Sequence, residues 1–290
     1  MKKFMIGLAA ALMLSSCEYV QVEDLTELEE SASQKTVTFR LSADKWLFDK
    51  ALVTRGSMTA DDAEMTDLWI FDYVDDGLVQ SKSYSPDDDD WGEPSLTMKL
   101  GTHHIYFVAS RGDQPAVDED EGTITWGTPK DTFWASLTLN LTSGGTTSQS
   151  VTLNRVATKM RLQVNDLVPD GIATLSITPD TWYFGLNYVT GEATGAENRE
   201  RSVTVPSAYV GTTGKLVASF FGLSGDDEWT TGIAVTAKDG SGNVIGSATI
   251  KDAPFQRNRI SVFSGNLFNG AGALDVTLDG AWATDYATTW

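Results

Sequence analysis

Apolar and polar residues alternate in short segments along most of the chain, which is the pattern of half-buried β-strands. Val37, Phe39 and Leu41, for example, alternate with polar neighbours. Related segments, alternating or apolar throughout, recur at residues 68–74, 96–100, 104–109, 137–141, 150–164, 175–177, 203–205, 233–238, 244–250, 260–262 and 274–278. No long amphipathic helical pattern interrupts them. Many short strands at regular spacing indicate β-sandwiches, so we predict an all-β fold.

Turn residues divide this pattern into units. Asp76-Gly77 follows one apolar run and predicts a hairpin, because glycine accepts the positive φ of a tight turn. The Gly-rich stretch 239–243 predicts a second hairpin between residues 233–238 and 244–250. Turn residues concentrate again at 165–171, around Pro169. We place the domain boundary there, which gives an N-terminal β-sandwich at 35–166 and a C-terminal β-sandwich at 167–290.

The N-terminus has the organisation of a lipoprotein signal peptide. Lys2 and Lys3 precede an uncharged apolar run at 4–14, which is shorter than the roughly 20 residues of a membrane-spanning helix. Small residues then lead to Cys17, the only cysteine of the chain. We predict a signal peptide at 1–16, cleavage between Ser16 and Cys17, and lipid attachment to Cys17. An ordinary signal peptide with an incidental cysteine is the alternative.

Residues 17–34 are predicted to form a lipidated, flexible tether. They are acidic and contain few apolar residues that a folded core would need. An acidic stretch directly after a lipidated cysteine resembles the surface-export signal of Bacteroidota lipoproteins. That resemblance implies display on the outer face of the outer membrane, whereas a merely solvated linker is the alternative.

Net charge excludes one class of partner. Acidic residues outnumber basic ones by 40 to 21, and the formal net charge is −19. Nucleic acid is therefore an unsuitable partner, because binding to phosphates needs a basic face. With its only cysteine lipidated, the chain cannot form a disulfide, so its stability must come from packed apolar cores.

Four segments resemble conserved blocks of the Bacteroidales fimbrillin superfamily, the subunits of type V pili. Residues 151–162 (VTLNRVATKMRL) resemble the "L-x-R-x-x-A/T-K" strand that closes the N-terminal domain in that family. The other three are Thr54-Arg55 followed by LWIFD at 68–72, Leu100-Gly101 before IYFVA at 105–109, and FQRNRISV at 255–262. The resemblance implies two tandem transthyretin-like β-sandwich domains, lipoprotein export, and assembly with other fimbrial subunits by donated β-strands.

Two segments are candidates for donated strands. Residues 37–41 lie upstream of Arg55, where an arginine-specific protease would detach them. At the other end, Leu274, Val276 and Leu278 fall on one face of a strand, and Trp282, Tyr286 and Trp290 follow as apolar anchors. Both segments also suit ordinary strands of the chain's own sheets. An anchor subunit keeps its lipidated N-terminus, so cleavage at Arg55 would contradict that role.

Other motifs favour structural roles. His103 and His104 are neighbours in a predicted strand and point to opposite faces, so they cannot share one metal ion. The acidic residues 87–90 lack the spacing of an EF-hand and are interpreted as a solvated loop. Arg111-Gly112-Asp113 matches an integrin-binding tripeptide, but it also suits a turn after a strand. We predict no metal site and no cofactor.

Enzymatic motifs are absent from the sequence, including the nucleophile elbow, the zinc-binding H-E-x-x-H and the P-loop. Two non-enzymatic hypotheses remain. The first is a lipid-anchored fimbrial subunit, either an anchor or an accessory or tip component. The alternative is a surface glycan-binding or adhesin lipoprotein that recognises a host or bacterial surface ligand. Exposed aromatic residues would serve the second role, and Trp91, Trp182, Tyr183 and Phe184 are its candidates. Residues 182 and 184 share one face of a strand, however, and packing of that face into a core is the alternative.

Replacing Cys17 with alanine tests the predicted lipid anchor. The variant should incorporate no radioactive palmitate and should leave the membrane fraction, because the acyl chains that hold the protein have no attachment site. Moving the only thiol by the paired change Cys17→Ala and Ser31→Cys should not restore labelling. Continued labelling of the Cys17→Ala variant would contradict the prediction.

Overall fold

The computed structural model describes residues 33–42, 65–111, 114–225 and 228–269, together with the backbone of 274–279. Within these ranges the chain forms twenty strands. They are β1 (Gln34–Ser42), β2 (Asp67–Val74), β3 (Gly77–Tyr84), β4 (Ser95–Lys99), β5 (Gly101–Ser110), β6 (Ala116–Asp118), β7 (Thr123–Thr125), β8 (Thr132–Leu141), β9 (Ser148–Thr152), β10 (Asn154–Arg155), β11 (Ala157–Val164), β12 (Ile172–Pro179), β13 (Trp182–Asn187), β14 (Glu192–Glu197), β15 (Arg201–Thr204), β16 (Leu216–Leu223), β17 (Trp229–Asp239), β18 (Val244–Phe255), β19 (Ile260–Gly265) and β20 (Leu274–Asp279). The predicted all-β fold is confirmed. None of the helices in the described ranges has the length and apolar character needed to cross a membrane.

Two sheets form the N-terminal sandwich. A three-stranded sheet has the order β4-β1-β9, and a five-stranded sheet has the order β10-β8-β5-β2-β3. Their facing side chains form one apolar core, in which the rings of Phe39 and Phe107 meet edge to face at 5.2 Å. The predicted β2–β3 hairpin is confirmed, but its positive φ angles lie at Asp75 and Asp76 and not at Gly77, which begins β3. Positive φ at both loop residues matches the right-handed twist of the strands.

Two further sheets form the C-terminal sandwich. Their strand orders are β16-β11-β19-β20 and β15-β12-β17-β18. A second apolar core lies between them, and Trp182 and Phe255 meet edge to face within it at 4.9 Å. The predicted hairpin between residues 233–238 and 244–250 is confirmed, since β17 pairs with β18 in antiparallel register.

A small fifth sheet joins the two halves of the chain. Its order is β14-β13-β7-β6, and β7 pairs with β13 so that Ile124 lies opposite Leu186. A third apolar cluster lies beside it, where Phe71 and Tyr188 stack at 3.7 Å. The Trp134 indole donates a hydrogen bond to the Tyr188 carbonyl at 2.7 Å. The two halves therefore share a sheet and a core, an arrangement that the sequence analysis missed.

The prediction of one continuous strand over residues 150–164 is wrong. The segment forms β9, β10 and β11, and each joins a different sheet. At Val156 the backbone changes partners: its N–H donates to Thr132 of the N-terminal half, and its carbonyl accepts from Ser224 of the C-terminal half. Local alternation cannot reveal such a change, because all three strands keep the same period.

The domain boundary predicted at 165–171 does not coincide with this change of partners. The buried Asp166 carboxylate accepts hydrogen bonds from the backbone N–H groups of Leu267 and Asn269. Strand β11, which precedes it, pairs with β16 and β19. The turn-rich segment thus belongs to the C-terminal sandwich, and we propose that the boundary lies near Val156 instead.

A buried ion pair stands beside this boundary. Arg155 donates to both Asp131 oxygens, through Nε at 2.8 Å and Nη2 at 3.2 Å. Both side chains are almost inaccessible to solvent. Arg155 Nη1 also donates to the Asn258 side chain at 3.1 Å, and the guanidinium lies over the Phe133 ring. Two of the fimbrillin-like segments, 151–162 and 255–262, therefore meet at this ion pair.

Double-mutant analysis tests the contribution of the pair to stability. Arg155→Met should lower the free energy of unfolding by about 3–5 kcal/mol, because the Asp131 carboxylate then stays buried without its partner. Asp131→Asn should have a similar cost, and the double variant should lose less than the sum of the two. Urea unfolding provides the measurement.

Arg40 supplies the matched control, because its ion pair with Glu93 is longer, 3.6 Å, and exposed. Arg40→Met should change the free energy of unfolding by less than about 1 kcal/mol. If Arg40→Met and Arg155→Met lower the free energy of unfolding equally, burial does not increase the contribution of the Arg155 pair and the prediction is wrong.

Candidate functional site

Strand β1 is the central strand of its sheet. It pairs antiparallel with β4 from Gln34 to Thr38 and parallel with β9 from Thr38 to Ser42. Backbone contacts extend beyond these ladders, since the Phe39 N–H donates to the Pro94 carbonyl at 2.8 Å. The backbone of β1 is thus hydrogen-bonded on both sides, to the β4 side and to the β9 side.

The inward side chains of β1 fill an apolar groove. Val37 and Phe39 are fully buried, and Leu41 is 9% exposed. They alternate with outward polar residues, which confirms the strand predicted from residues 37–41. Without β1, the edges of β4 and β9 would lose their partners and the core of the N-terminal sandwich would be open to water.

The predicted processing residues lie outside the described part of the chain. This applies to Ser16 and Cys17 at the predicted signal cleavage site and to Arg55 at the candidate protease site. In sequence, β1 lies between Cys17 and Arg55. A cut at Arg55 would therefore separate both the lipidated cysteine and β1 from the rest of the protein.

Strand β20 contains the candidate donor residues. Its backbone pairs antiparallel with β19, with Leu274 opposite Gly265, Val276 opposite Phe263 and Leu278 opposite Ser261. Within the described residues it is the terminal strand of its sheet. This is the internal arrangement that the sequence left open, and it gives the strand one backbone edge without a partner strand. Trp282, Tyr286 and Trp290 lie outside the described residues.

The two histidines have separate structural roles. His103 is buried, and its ring contacts the Asp72 carboxylate at 2.7 Å and the Lys99 carbonyl at 2.8 Å. His104 is exposed and contacts the Thr138 hydroxyl. They point to opposite faces of β5, as the sequence predicted. Among the described residues, no group of three or more histidine, cysteine or carboxylate side chains is placed to hold a metal ion.

The acidic loops use their carboxylates to shape the backbone. Asp88 accepts from the Ser85 N–H at 2.6 Å. Asp118 accepts from the N–H groups of Asp120 and Glu121. Gly112 and Asp113 of the integrin-like tripeptide lie outside the described residues.

The aromatic residues proposed for glycan stacking are mostly buried. Trp182 is 2% exposed, Phe184 is not exposed, and Trp91 is 7% exposed. Tyr183 is half-buried and packs edge to face on Trp229 at 5.1 Å. These candidates therefore form no exposed platform. The inward face of β13 packs into the C-terminal core, which was the alternative for Trp182 and Phe184, and Trp91 packs into the N-terminal core.

One open cleft was not found by the sequence analysis. It measures about 620 Å³ and lies where loop 127–130, the segment around Arg201 and strand β16 meet. Its residues are Thr128, Pro129, Lys130, Lys159, Glu200, Arg201, Ser202, Val217, Ser219, Phe220 and Phe221. They come from four separate parts of the chain and form no motif, so no local signal points to them.

Solved structures with a similar fold come from Bacteroides and Porphyromonas. A candidate adhesin from Bacteroides ovatus aligns with a TM-score of 0.53 at 14% identity, over 82% of this chain and 88% of that one. A candidate polysaccharide-binding protein from Bacteroides thetaiotaomicron gives a TM-score of 0.54 at 8% identity, over 84% and 96% of the two chains. The fimbrial anchor protein Mfa2 from Porphyromonas gingivalis gives 0.50 at 11% identity, over 85% and 98%. The protein therefore has a fimbrillin-like fold.

Sequence comparison defines the family. No curated protein matches the chain by sequence. A family model described as "Family of unknown function (DUF6562)" matches residues 118–290, which is more than half of the chain. The match covers three of the four strands of the fifth sheet (β7, β13 and β14), the junction at Arg155 and the C-terminal sandwich. The protein belongs to this family of unknown function, DUF6562.

Proposed function

We propose that the protein is a lipid-anchored structural subunit of a cell-surface fimbria of the type V pilus kind. It serves as an anchor or accessory component, held by lipid on Cys17 at the outer face of the outer membrane. It contacts other fimbrial subunits by β-strand addition, and it is not an enzyme.

The position of β1 carries the proposal. A subunit that accepts a donated strand needs an empty groove with unpaired backbone at its edges. Here β1 fills the groove between β4 and β9, with Val37 and Phe39 fully buried. A chain that keeps β1 also keeps the tether and the lipidated cysteine. It then ends a filament at the membrane instead of extending it there.

The fold and the chemistry of the buried polar groups are compatible with this role. The likeness to a fimbrial anchor protein and to candidate adhesins concerns the fold alone. The Asp72–His103 and Asp131–Arg155 pairs are buried inside the sandwiches. Within each pair the two side chains satisfy each other's hydrogen-bonding groups and fix the positions of their strands. None of these four residues lines the cleft at β16, so both pairs are interpreted as structural.

The C-terminal strand is the proposed contact to the next subunit. β20 is bonded to β19 on one side only among the described residues. Such an edge strand either pairs with another subunit along its other side or leaves its sheet to enter the groove of that subunit. The residues beyond it include three large aromatic side chains that add apolar area to such a contact.

The N-terminus of the surface protein distinguishes an anchor from a polymerising subunit. Mass spectrometry of the protein from outer membranes should find a lipidated Cys17 as the first residue. Arg55→Ala should leave the mass of the mature protein and the number of attached fimbriae unchanged, because an anchor is not cut there. A mature chain that begins after Arg55 in the wild type, and is longer in Arg55→Ala, would overturn the anchor role.

Deleting residues 274–290 tests the C-terminal contact. The shortened protein should fold and reach the surface, because β19 keeps its pairing with β11. Fimbriae should be shed into the medium or have altered length, as measured by electron microscopy and by immunoblotting of the medium. The paired change Asp275→Ala and Thr277→Ala keeps the apolar positions of the strand and should retain attachment. If the deletion variant unfolds, the segment belongs to the protein's own core and the contact is wrong.

A further inference from the structure

The cleft at β16 lies between the two halves of the chain. Its N-terminal wall is loop 127–130, and its C-terminal walls are β15 and β16. Arg199 Nη1 donates to the Gly127 carbonyl at 3.0 Å, which holds the loop against the C-terminal half. A volume of about 620 Å³ falls within the usual range of small-molecule sites, about 300–1,000 Å³.

The cleft is basic although the protein is strongly acidic. Lys130, Lys159 and Arg201 line it, whereas Glu200 is the only carboxylate among the described residues that line it. The Ser176 hydroxyl already donates to Glu200 at 2.9 Å. Because the whole chain carries a formal charge of −19, a local excess of cations in a concave surface marks a place where an anion is favoured.

Arg201 is held in place without an acidic partner. Its guanidinium lies over the rings of Phe184 and Phe220, at 5.4 and 5.8 Å, and Nη1 donates to the Thr128 hydroxyl at 3.5 Å. In the described part of the chain it forms no ion pair. Burial, and then the neighbouring Arg199 cation, lower the pKa of Arg201 from its ordinary value. A bound anion would stabilise the charged guanidinium and offset the repulsion from Arg199.

The remaining lining supplies hydroxyl groups and ring faces. Ser202 is exposed, and the Ser219 hydroxyl is buried with no hydrogen-bond partner among the described residues. Phe220 and Phe221 are half-buried on β16, and the Lys159 ammonium lies 5.2 Å from the Phe221 ring centre. Cations, hydroxyls and phenyl rings together suit a ligand with an acidic group, hydroxyl groups and an apolar ring face.

We propose that this cleft binds an acidic saccharide, a short sugar chain that carries a carboxylate or a sulfate. Arg201 and Lys130 contact the acidic group, the exposed Ser202 hydroxyl contacts a sugar hydroxyl, and Phe221 packs against a ring face. The binding surface differs from the buried aromatic residues suggested by the sequence. It gives the fimbrial subunit a site for surface glycans that does not depend on strand donation.

Two other anionic partners fit the cleft less well. A peptide that adds to the edge of β16 needs free backbone groups along it, but the Trp182 indole already donates to the Phe221 carbonyl at 3.0 Å. A long polyanion such as nucleic acid would extend over the acidic surface outside the cleft and be repelled there. A short acidic saccharide avoids both obstacles.

Calorimetric titration of the full-length lipoprotein in detergent tests the proposal. The probes are trigalacturonic acid, which carries carboxylates, and a heparin-derived tetrasaccharide, which carries sulfates. At least one should bind, neutral maltotriose should not, and added salt should weaken binding. Lys130→Gln and Arg201→Gln should each weaken binding by about tenfold, because each removes a charge-assisted contact.

Controls separate charge recognition from loss of the fold. Lys251→Gln removes an exposed cation on β18, which is at the opposite edge of the sheet from β15 and does not line the cleft, so the affinity should be unchanged. Arg201→Lys should retain more affinity than Arg201→Gln, and melting curves identify any variant that is unfolded. The proposal is overturned if neither acidic probe binds or if maltotriose binds equally well. It is also overturned if Lys130→Gln has no effect, or if only an acidic peptide, Ac-Asp-Val-Thr-Leu-Asp-NH₂, binds. Failure of saccharide binding leaves the proposed membrane anchor and fimbrial contacts untouched, because neither involves the cleft.

Discussion

The bidentate ion pair between Arg155 and Asp131 is the constraint on which the two halves of the molecule depend. It is buried, with N–O distances of 2.8 and 3.2 Å, and Asn258 accepts a third hydrogen bond from the same guanidinium. One residue further, Val156 bonds to both halves. A buried guanidinium is stable only where its donors meet acceptors, so the pair favours the register in which Arg155 reaches Asp131 and Asn258.

The two sandwiches therefore pack against each other and are not separate domains joined only by a linker. Sheet pairing between β7 and β13 and the stacking of Phe71 on Tyr188 place groups from both halves in a shared core. The phenol of Tyr188 contacts that of Tyr73 at 3.1 Å, and burial raises the pKa of Tyr188. The basic cleft exists because of this docking, since its walls come from both halves.

Strand β1 gives the N-terminal sandwich its closed form. Each fully buried side chain of this kind stabilises the fold by about 1.5–3 kcal/mol relative to exposure, and β1 contributes two such side chains and two backbone ladders. Losing the strand would therefore open a groove that only another alternating strand could fill. The proposed anchor role and the alternative of a polymerising subunit differ in this one structural event, the retention or removal of β1.

Many of the strands and two of their hairpins could be predicted from the sequence alone. The hairpin after β2 follows from the turn residues Asp76 and Gly77. The alternation of residues 37–41 and the opposite faces of His103 and His104 follow from the two-residue period of a strand. That period acts locally, so it can be read from neighbouring residues. It also predicted that the aromatic residues of β13 share a face, although it did not decide whether that face is exposed.

Pairing between distant strands was decided only by the tertiary structure. Residues 150–164 look like one strand, yet their hydrogen-bond partners lie in three different sheets, because the partners depend on which edges are close in space. The fifth sheet combines short strands from both halves, and its polar strand β14 has little apolar pattern to reveal it. The cleft required Lys130, Arg201 and Phe221 to meet across long stretches of chain. Charge and burial at such a place arise from packing, which no single segment of the sequence contains.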